Sequence, residues 1–529
     1  MLSFLNPVPS IPEYAGPYRV GSTEYEIPIA ELASTSTVPD TQITTIKFRL
    51  YYPTAETSSK KSLYWLPSPQ KQWTEAYASF MGASERTSSI ISSLPSLLNY
   101  AKIPAIPGAP LARNSTSQSP LLIFSHGLGG NCQTYSSVLG SLASCGVVCA
   151  APEHRDGSAP TSIIKSASGK IQTTIPYQKH SHAPSSEVLD ARNAQLRVRL
   201  WELELTYAAL KAMNEGKTFT NYADSETGNQ NWSGTLDTRP GHVSWAGHSF
   251  GAATMTQFVK SIFYHKFLPT NIKGTPLYTA KADSDLVAQI TPESPVALLD
   301  LWTMPLRGQL TEWLWDRPMP CWDRPRSSST RPNTIAIMSA EFYKWTDLLN
   351  RTRALLSERP KQAMKALEDK HSSVKKAPSI DALPEVSTSE PTLQISEINK
   401  RPGQETSSTL SSRSVSPAGS ESSSPSSSQT SLPQVEHGDE FNAPQLYLIP
   451  QSAHLSQSDF GPLFPSLVKY FMKAIEPEET IKLNVRAILA TLRGQGLSVS
   501  NLTKGDDRIL DGAHLAQEKR WARIPLVDI

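Results

Sequence analysis

The stretch Trp245-Ala-Gly-His-Ser-Phe-Gly251 decides the reading of this chain. It is a G-x-S-x-G pentapeptide set between two different periodicities. Val243, Ser244 and Trp245 read as a short strand entering the turn, and Ala252 to Tyr264 as a helix leaving it. A serine on a tight strand-to-helix turn has its hydroxyl pushed clear of the backbone, at the N-terminus of the helix. Gly247 and Gly251 are the positions where a side chain would collide with the neighbouring strand and helix. The free N–H groups at the helix start suit a developing oxyanion.

Working outward, the pattern is strand, turn, helix, repeated. Leu121-Leu-Ile-Phe124 and Val147-Val-Cys-Ala-Ala151 are short apolar runs, as expected of strands buried on both faces. Residues 17–30 and 43–52 alternate as strands, the second ending at Pro53 like an edge strand. Glu187 to Glu215 carries a long helical pattern; Val296–Leu299, Asn333–Met338 and Gln445–Ile449 are further strands, the last followed by a helix near 462–474. Such alternation predicts an α/β fold: the α/β-hydrolase fold, a mostly parallel, doubly wound sheet flanked by helices.

Acyl transfer by a serine needs a histidine to take its proton, an acid to orient that histidine and N–H donors for the oxyanion. In α/β-hydrolases the chain order is Ser, acid, His, and the sequence supplies it. Ser249 comes first. Asp300 follows at the end of a strand; Asp316 and Asp323 are rivals in a Pro/Trp-rich loop at 311–332. His454 lies in a polar loop after the final strand, with His437 and His514 as rivals. The glycine-rich Ser125-His-Gly-Leu-Gly-Gly130 after a buried strand offers the N–H of Leu128, to pair with that of Phe250. The loop lacks the Lys-Ser/Thr ending of a phosphate loop. His126 and His248 read as packing or supporting histidines, because no carboxylates sit at ligand spacing. No cofactor and no metal are expected.

Composition bounds the rest. The chain has 529 residues with 38% hydrophobic content and 42 prolines, so part of it is expected to be disordered. That part is 372–440, rich in Ser, Pro, Thr, Glu and Lys. It interrupts a catalytic domain whose first part is 1–371, with Ser249 and Asp300, and whose second part is 441–529, with His454 and C-terminal helices or tail. A net charge of +2 gives no general attraction for nucleic acid. Cys132, Cys145, Cys149 and Cys321 fit neither a disulfide framework nor a zinc pattern and read as buried thiols. Without a signal peptide or spanning helix, the expected location is cytoplasmic or peripheral on intracellular membranes.

The assembled motifs resemble the platelet-activating factor acetylhydrolase family. The resemblance rests on Arg49-Leu-Tyr-Tyr-Pro53, Ser125-His-Gly-Leu-Gly129, Ala150-Ala-Pro-Glu-His-Arg-Asp156 and Arg192-Asn193. Gly247-His-Ser-Phe-Gly251, Leu299-Asp-Leu-Trp302, Ser339-Ala-Glu-Phe342, Ala453-His454 and Ser458-Asp-Phe460 complete it. It implies Ser249 as nucleophile, Asp300 as orienting acid, His454 as base, and Leu128 and Phe250 as oxyanion donors. It also implies a calcium-independent hydrolase that removes a short or oxidised sn-2 acyl group, with phospholipid as substrate and transient contact with a lipid surface. The chain departs from the family's pattern at Ala252, where a second glycine is usual, and in the long insertion. A generic carboxylesterase and a non-catalytic scaffold are the alternative readings; oligomeric state is left open.

Overall fold

A computed structural model describes residues 8–34, 36–57, 62–93, 96–112, 118–223, 230–272, 274–325, 331–376, 443–474, 477–503, 505–512 and 520–527. The core is one sheet with helices on both faces. Its principal strands are β1 (Arg19–Pro28), β2 (Thr45–Thr54), β3 (Ser119–Ser125), β4 (Val148–Pro152) and β5 (Ser244–His248). They continue with β6 (Val296–Leu299), β7 (Thr334–Ser339), β8 (Gln445–Ile449) and β9 (Ala522–Ile524). The spatial order is β9-β8-β7-β6-β5-β3-β4-β2-β1. Neighbours from β4 through β3 to β8 run parallel, while β1, β2 and β9 pair antiparallel. This is the mostly parallel, doubly wound sheet of the α/β-hydrolase fold. Strands before and after residues 377–442 share it, since β7 pairs with β8 in register from Ile335–Gln445 to Ser339–Ile449.

The central strands are buried on both faces, which is why they read as unbroken apolar runs rather than alternating ones. One face is covered by α3 (Ser186–Asn214) and α4 (Phe250–Phe263), the other by α2 (Ser136–Ser144) and α5 (Pro477–Gly494). An outlying α1 (Gln70–Phe80) buries Trp73 and Tyr77 beside Trp65. All four cysteines are buried and free. No helix among the described residues is long and apolar enough to cross a membrane.

Several sequence expectations are corrected. β2 is interior, between β1 and β4, and passes through Pro53 without stopping. Pro53 lies opposite Val20 of β1 and beyond the Phe48–Tyr51 stretch that pairs with β4, and a two-residue strand, Ile106–Pro107, pairs in turn outside β1. β8 is not the last strand: β9 adds to the sheet antiparallel, a three-residue element too short for periodicity to reveal. The segment at 311–332 is not one loop; it contains a helix at Gln309–Trp315 and a 3₁₀ turn at Pro320–Asp323. The helix near 462–474 is two short turns, Phe460–Leu463 and Leu467–Phe471. A helix at Pro360–Lys376 runs into the first residues of the proposed insertion; the rest of 372–440, with His437, lies outside the described residues, as does His514.

The elbow is built by backbone contact. Ser249 sits between β5 and α4 at φ 57°, ψ −117°, a conformation L-residues rarely hold. It is tolerable only because the flanking chain is pinned. Ser249 N–H donates to the Leu299 carbonyl at 2.9 Å, and Trp302 N–H to the Ser249 carbonyl at 3.3 Å. A Cβ on Gly251 would lie 1.9 Å from the Ser125 carbonyl oxygen, and one on Gly247 would lie 2.5 Å from the Gly251 backbone. The β3 loop and the start of α4 thus touch main chain to main chain. Gly251→Ala is expected to cost more than about 3 kcal/mol, because neither contacting backbone can yield. Denaturant unfolding measures this; a midpoint equal to that of the parent contradicts the contact.

Candidate active site

The parallel strands deliver their C-terminal ends to one edge, where open α/β sheets bind ligands. Ser249 follows β5, Asp300 follows β6, and His454 follows β8 by five residues. His454 opens a 3₁₀ turn, His454–Gln457, rather than lying in an open loop. The structure brings Asp300 and His454 together: His454 Nδ1 is 2.9 Å from Asp300 Oδ2. The other oxygen of Asp300 accepts from Ser339 N–H at 2.6 Å. Asp300 is fully buried, whereas the His454 ring is partly open. With Asp300 accepting a hydrogen bond from Nδ1–H, the lone pair of His454 is left on Nε2, the atom a proton acceptor needs.

His454 is clamped. Its ring stacks on Phe342 at 4.1 Å and 7° and on His248 at 4.4 Å. Its N–H donates to Glu341 Oε2 at 2.9 Å. His248 immediately precedes Ser249, so the stack brings the histidine to the elbow. Asp316 and Asp323 belong to the turns beyond and have no part in this arrangement; Asp316 pairs with Lys361 at 3.3 Å.

The β3 loop is oriented by a chain of specific bonds. His126 Nε2 accepts from His154 N–H at 3.0 Å, so its proton sits on Nδ1 and goes to the Gly127 carbonyl at 2.9 Å. Gly130 N–H donates to the same carbonyl at 3.1 Å. A trans peptide points its N–H opposite to its C=O, so fixing the Gly127 carbonyl also aims the N–H of Leu128. The loop lies against the elbow: a Cβ on Gly127 would be 3.1 Å from Ser249 Cβ. Phe250 occupies the first position of α4, where an N–H has no intrahelical acceptor. The loop and the start of α4 therefore both adjoin Ser249.

Supporting residues that spacing alone does not disclose complete the site. Gly127 N–H donates to Tyr135 Oη at 3.0 Å, and that hydroxyl is 2.8 Å from His248 Nδ1. The phenol accepts the first bond and donates the second, leaving His248 with its proton on Nε2. Asp459 joins the histidine segment to α2. It accepts from Ser136 N–H at 3.0 Å, Ser137 N–H at 2.8 Å and Trp65 Nε1 at 3.0 Å. Ser458-Asp-Phe460 was the signal for it in the sequence. His248, Asp300 and His454 also form a cluster of metal-capable atoms. The stacked rings and the committed Nδ1 atoms of both histidines make it a poor cation cage.

Residues 5–276 match the family described as "Platelet-activating factor acetylhydrolase, isoform II". The chain is 27% identical over 357 residues to a Schizosaccharomyces pombe protein named "Putative phospholipase A2", covering 64% of this chain and 71% of that one. It is 32% identical over 252 residues to the platelet-activating factor acetylhydrolase of Cavia porcellus, covering 47% of this chain and 52% of that one. The match thus spans about half the length of the mammalian relative. A solved ferulic acid esterase from Streptomyces cinnamoneus aligns over 98% of this chain and all of its own at 13% identity, with a TM-score of 0.41.

Buried histidines, His126 and His248 among them, make stability depend on pH. Burial and then the Arg199 charge pull His126 down to about 3. Burial, and then His454, hold His248 well below the usual histidine value. Below about pH 6.5 the unfolded chain takes up protons that these folded rings refuse, so stability present above that pH drains away as pH falls. Between pH 7.5 and pH 5 His126 alone is expected to remove about 2 kcal/mol. Thermal unfolding at the two values reads it, and an equal midpoint at both contradicts the neutral, buried state of these rings.

Proposed function

The chain belongs to the platelet-activating factor acetylhydrolase, isoform II, family and so to the carboxylic ester hydrolases, and on that premise we propose that it removes a short or oxidised sn-2 acyl group from phospholipids through an acyl-enzyme on Ser249. The observation that carries this reading is the 2.9 Å bond between His454 Nδ1 and buried Asp300, stacked against the residue before Ser249.

In the proposed reaction Ser249 Oγ attacks the sn-2 carbonyl carbon while His454 Nε2 takes the hydroxyl proton. Asp300 holds the imidazole tautomer and stabilises the imidazolium that forms. The carbonyl oxygen becomes an oxyanion, and the N–H groups of Leu128 and Phe250 donate to it, aided by the positive end of α4. Collapse of the tetrahedral intermediate breaks the C–O bond to the glycerol. The leaving alkoxide takes the proton back from His454, and the lysophospholipid departs. Water, deprotonated by the same histidine, then attacks the acyl-Ser249 ester and releases the short acid. Every charge in this sequence is met by a group of the chain, and no metal is called for.

Phe80, Tyr177, His182 and Trp302 gather above the oxyanion loop and elbow. Phe80 and Tyr177 pack edge to face at 4.7 Å, Phe80 also approaches the Gly129 position, and His182 lies 5.5 Å from Trp302. An aromatic surround of that kind suits a short acyl chain and the lipid glycerol. Transient contact with a lipid surface follows as part of the same proposal.

The test is hydrolysis of a short-chain sn-2 phosphatidylcholine, in the presence of a calcium chelator, by the parent and by Ser249→Ala. The variant is expected to lose roughly 10⁴-fold or more in kcat, with turnover by the parent unaffected by chelation. Undiminished turnover by Ser249→Ala ends the assignment. A parent that cleaves p-nitrophenyl acetate readily but ignores the phospholipid points instead to a generic carboxylesterase.

A further inference from the structure

Arg192 belongs to the sequence motifs but has no part in the proposed chemistry, and its environment is unusual. It lies in the first turns of α3 and is completely buried, yet Nε and Nη2 have no hydrogen-bond partner. Only Nη1 is engaged, with Gln195 Oε1 at 2.7 Å. Arg199, two turns further along the same helix face, shows what a satisfied buried guanidinium looks like. Its Nε meets Asp156 at 2.6 Å, Nη2 meets Ser158 Oγ at 2.6 Å, and Nη1 meets the His126 carbonyl at 2.8 Å.

The carboxylate whose charge reaches Arg192, Asp156, is already taken by Arg199 and by the N–H and hydroxyl of Ser158. Burial, only partly offset by Tyr177 and Asp156, draws the Arg192 guanidinium down to about 10. An unpaired buried charge costs several kcal/mol unless something meets it. Nε and Nη2 are the side-on fork of an arginine, the pair that grips carboxylate or phosphate with two parallel bonds.

The position is equally specific. The guanidinium carbon is 5.1 Å from the centre of the Trp302 ring and 5.6 Å from that of Phe250. Phe250 follows Ser249 in sequence, and Trp302 N–H holds the Ser249 carbonyl at 3.3 Å. His180, whose Nε2 is also without a partner, and His182 lie within reach of the Arg192 charge. The connection from Gln178 to Ser185, mostly exposed, carries His180 and His182 within reach of the guanidinium charge and so serves as its cover. It is tied by Gln178 N–H to the Gly157 carbonyl at 2.8 Å and by an internal bond from Ala183 N–H to Ser181.

We infer that Arg192 is a specificity residue whose side-on fork receives an oxyanion carried by the ester substrate, next to the elbow, when the 178–185 cover moves aside. The inference rests on the proposed ester hydrolysis at Ser249. Two parts of a phospholipid carry this chemistry: the phosphodiester, and a terminal carboxylate on an oxidatively shortened sn-2 chain. Both present two oxygens at the spacing the fork requires.

The experiment compares three esters in the full-length chain: 1-alkyl-2-acetylglycerol, which is neutral; 1-alkyl-2-acetylglycerophosphocholine, which adds the phosphodiester; and a phosphate-free glyceride with an ω-carboxyacyl sn-2 group. For Arg192→Met, kcat/KM for an anionic ester divided by that for the neutral one is expected to fall about 100-fold, the loss of one bidentate charged contact. A fall confined to the phosphodiester assigns the fork to the headgroup side; one confined to the ω-carboxyacyl ester assigns it to the acyl end. Arg192→Lys, which keeps the charge and loses the fork, is expected to recover only part of the ratio. Methionine in place of an unpaired buried cation is expected to hold or raise Tm. An unchanged ratio in both variants overturns the inference, whether or not Tm falls, because a purely structural arginine lowers all three rates together. Ser249→Ala run on the same esters separates this outcome from a failure of the triad itself.

Discussion

The contact on which the rest of the site depends is between two backbones: Gly251 at the start of α4 against the Ser125 carbonyl at the end of β3. It sets the distance between the elbow and the loop carrying Leu128. Side chains cannot adjust that distance, because there are none at the point of contact. What fixes the loop on its far side is charge. Arg199 grips the His126 carbonyl from below while anchored by Asp156 and Ser158, and Ser158 in turn accepts the Gly129 N–H through its carbonyl at 2.9 Å. The loop is thus held between a close-packed main chain above and a buried ionic cluster beneath.

That cluster is expensive, and its cost makes sense only as positioning. Arg155 with Glu26 at 3.0 Å and Lys47 with Glu153 at 3.3 Å are withdrawn from water in the same region, beside a 2.9 Å hydrogen bond between His154 and Glu202, where burial holds the ring well below and the carboxyl well above their usual values. Hydrophobic residues of equal volume would serve stability as well or better, whereas breaking one partner of such a pair costs about 3–5 kcal/mol. A polar layer of this kind admits few alternative arrangements, because every displaced group would lose a charged partner. Rigidity under the oxyanion loop is what preorganised donors require, since their advantage lies in not having to move as charge develops.

Much of this was legible in the sequence. Short-range features read true: the elbow between strand and helix, the apolar runs of β3 to β8, and the helix of Ser186–Asn214. Asp300 and His454 were reachable because topology dictates their order and places both at strand ends. What the sequence withheld depends on contacts across long separations. The Phe342 and His248 faces of His454, the Asp459 tie to α2, and the free fork of Arg192 are properties of neighbours that no local pattern encodes. β9 escaped for another reason: three residues are too few to show a period. The Pro53 misreading came from treating a proline as a stop, when the antiparallel ladder had room for it.

The pairing of His248 with His454 shows why a packing residue can matter to acid–base chemistry. Two imidazoles stacked at 4.4 Å cannot both become imidazolium cations without strong repulsion. If His248 were free to ionise, it would compete with His454 for the proton of Ser249 and store it where no leaving group can collect it. The fold removes that option twice. Burial denies His248 its charged form, and the Tyr135 hydroxyl, itself committed by the Gly127 N–H, occupies the Nδ1 lone pair a second proton would need. The same hydrogen-bonded line begins in the peptide next to the one that presents the Leu128 N–H. In the proposed reaction one chain of three groups would therefore both place the Leu128 N–H and leave the proton to His454.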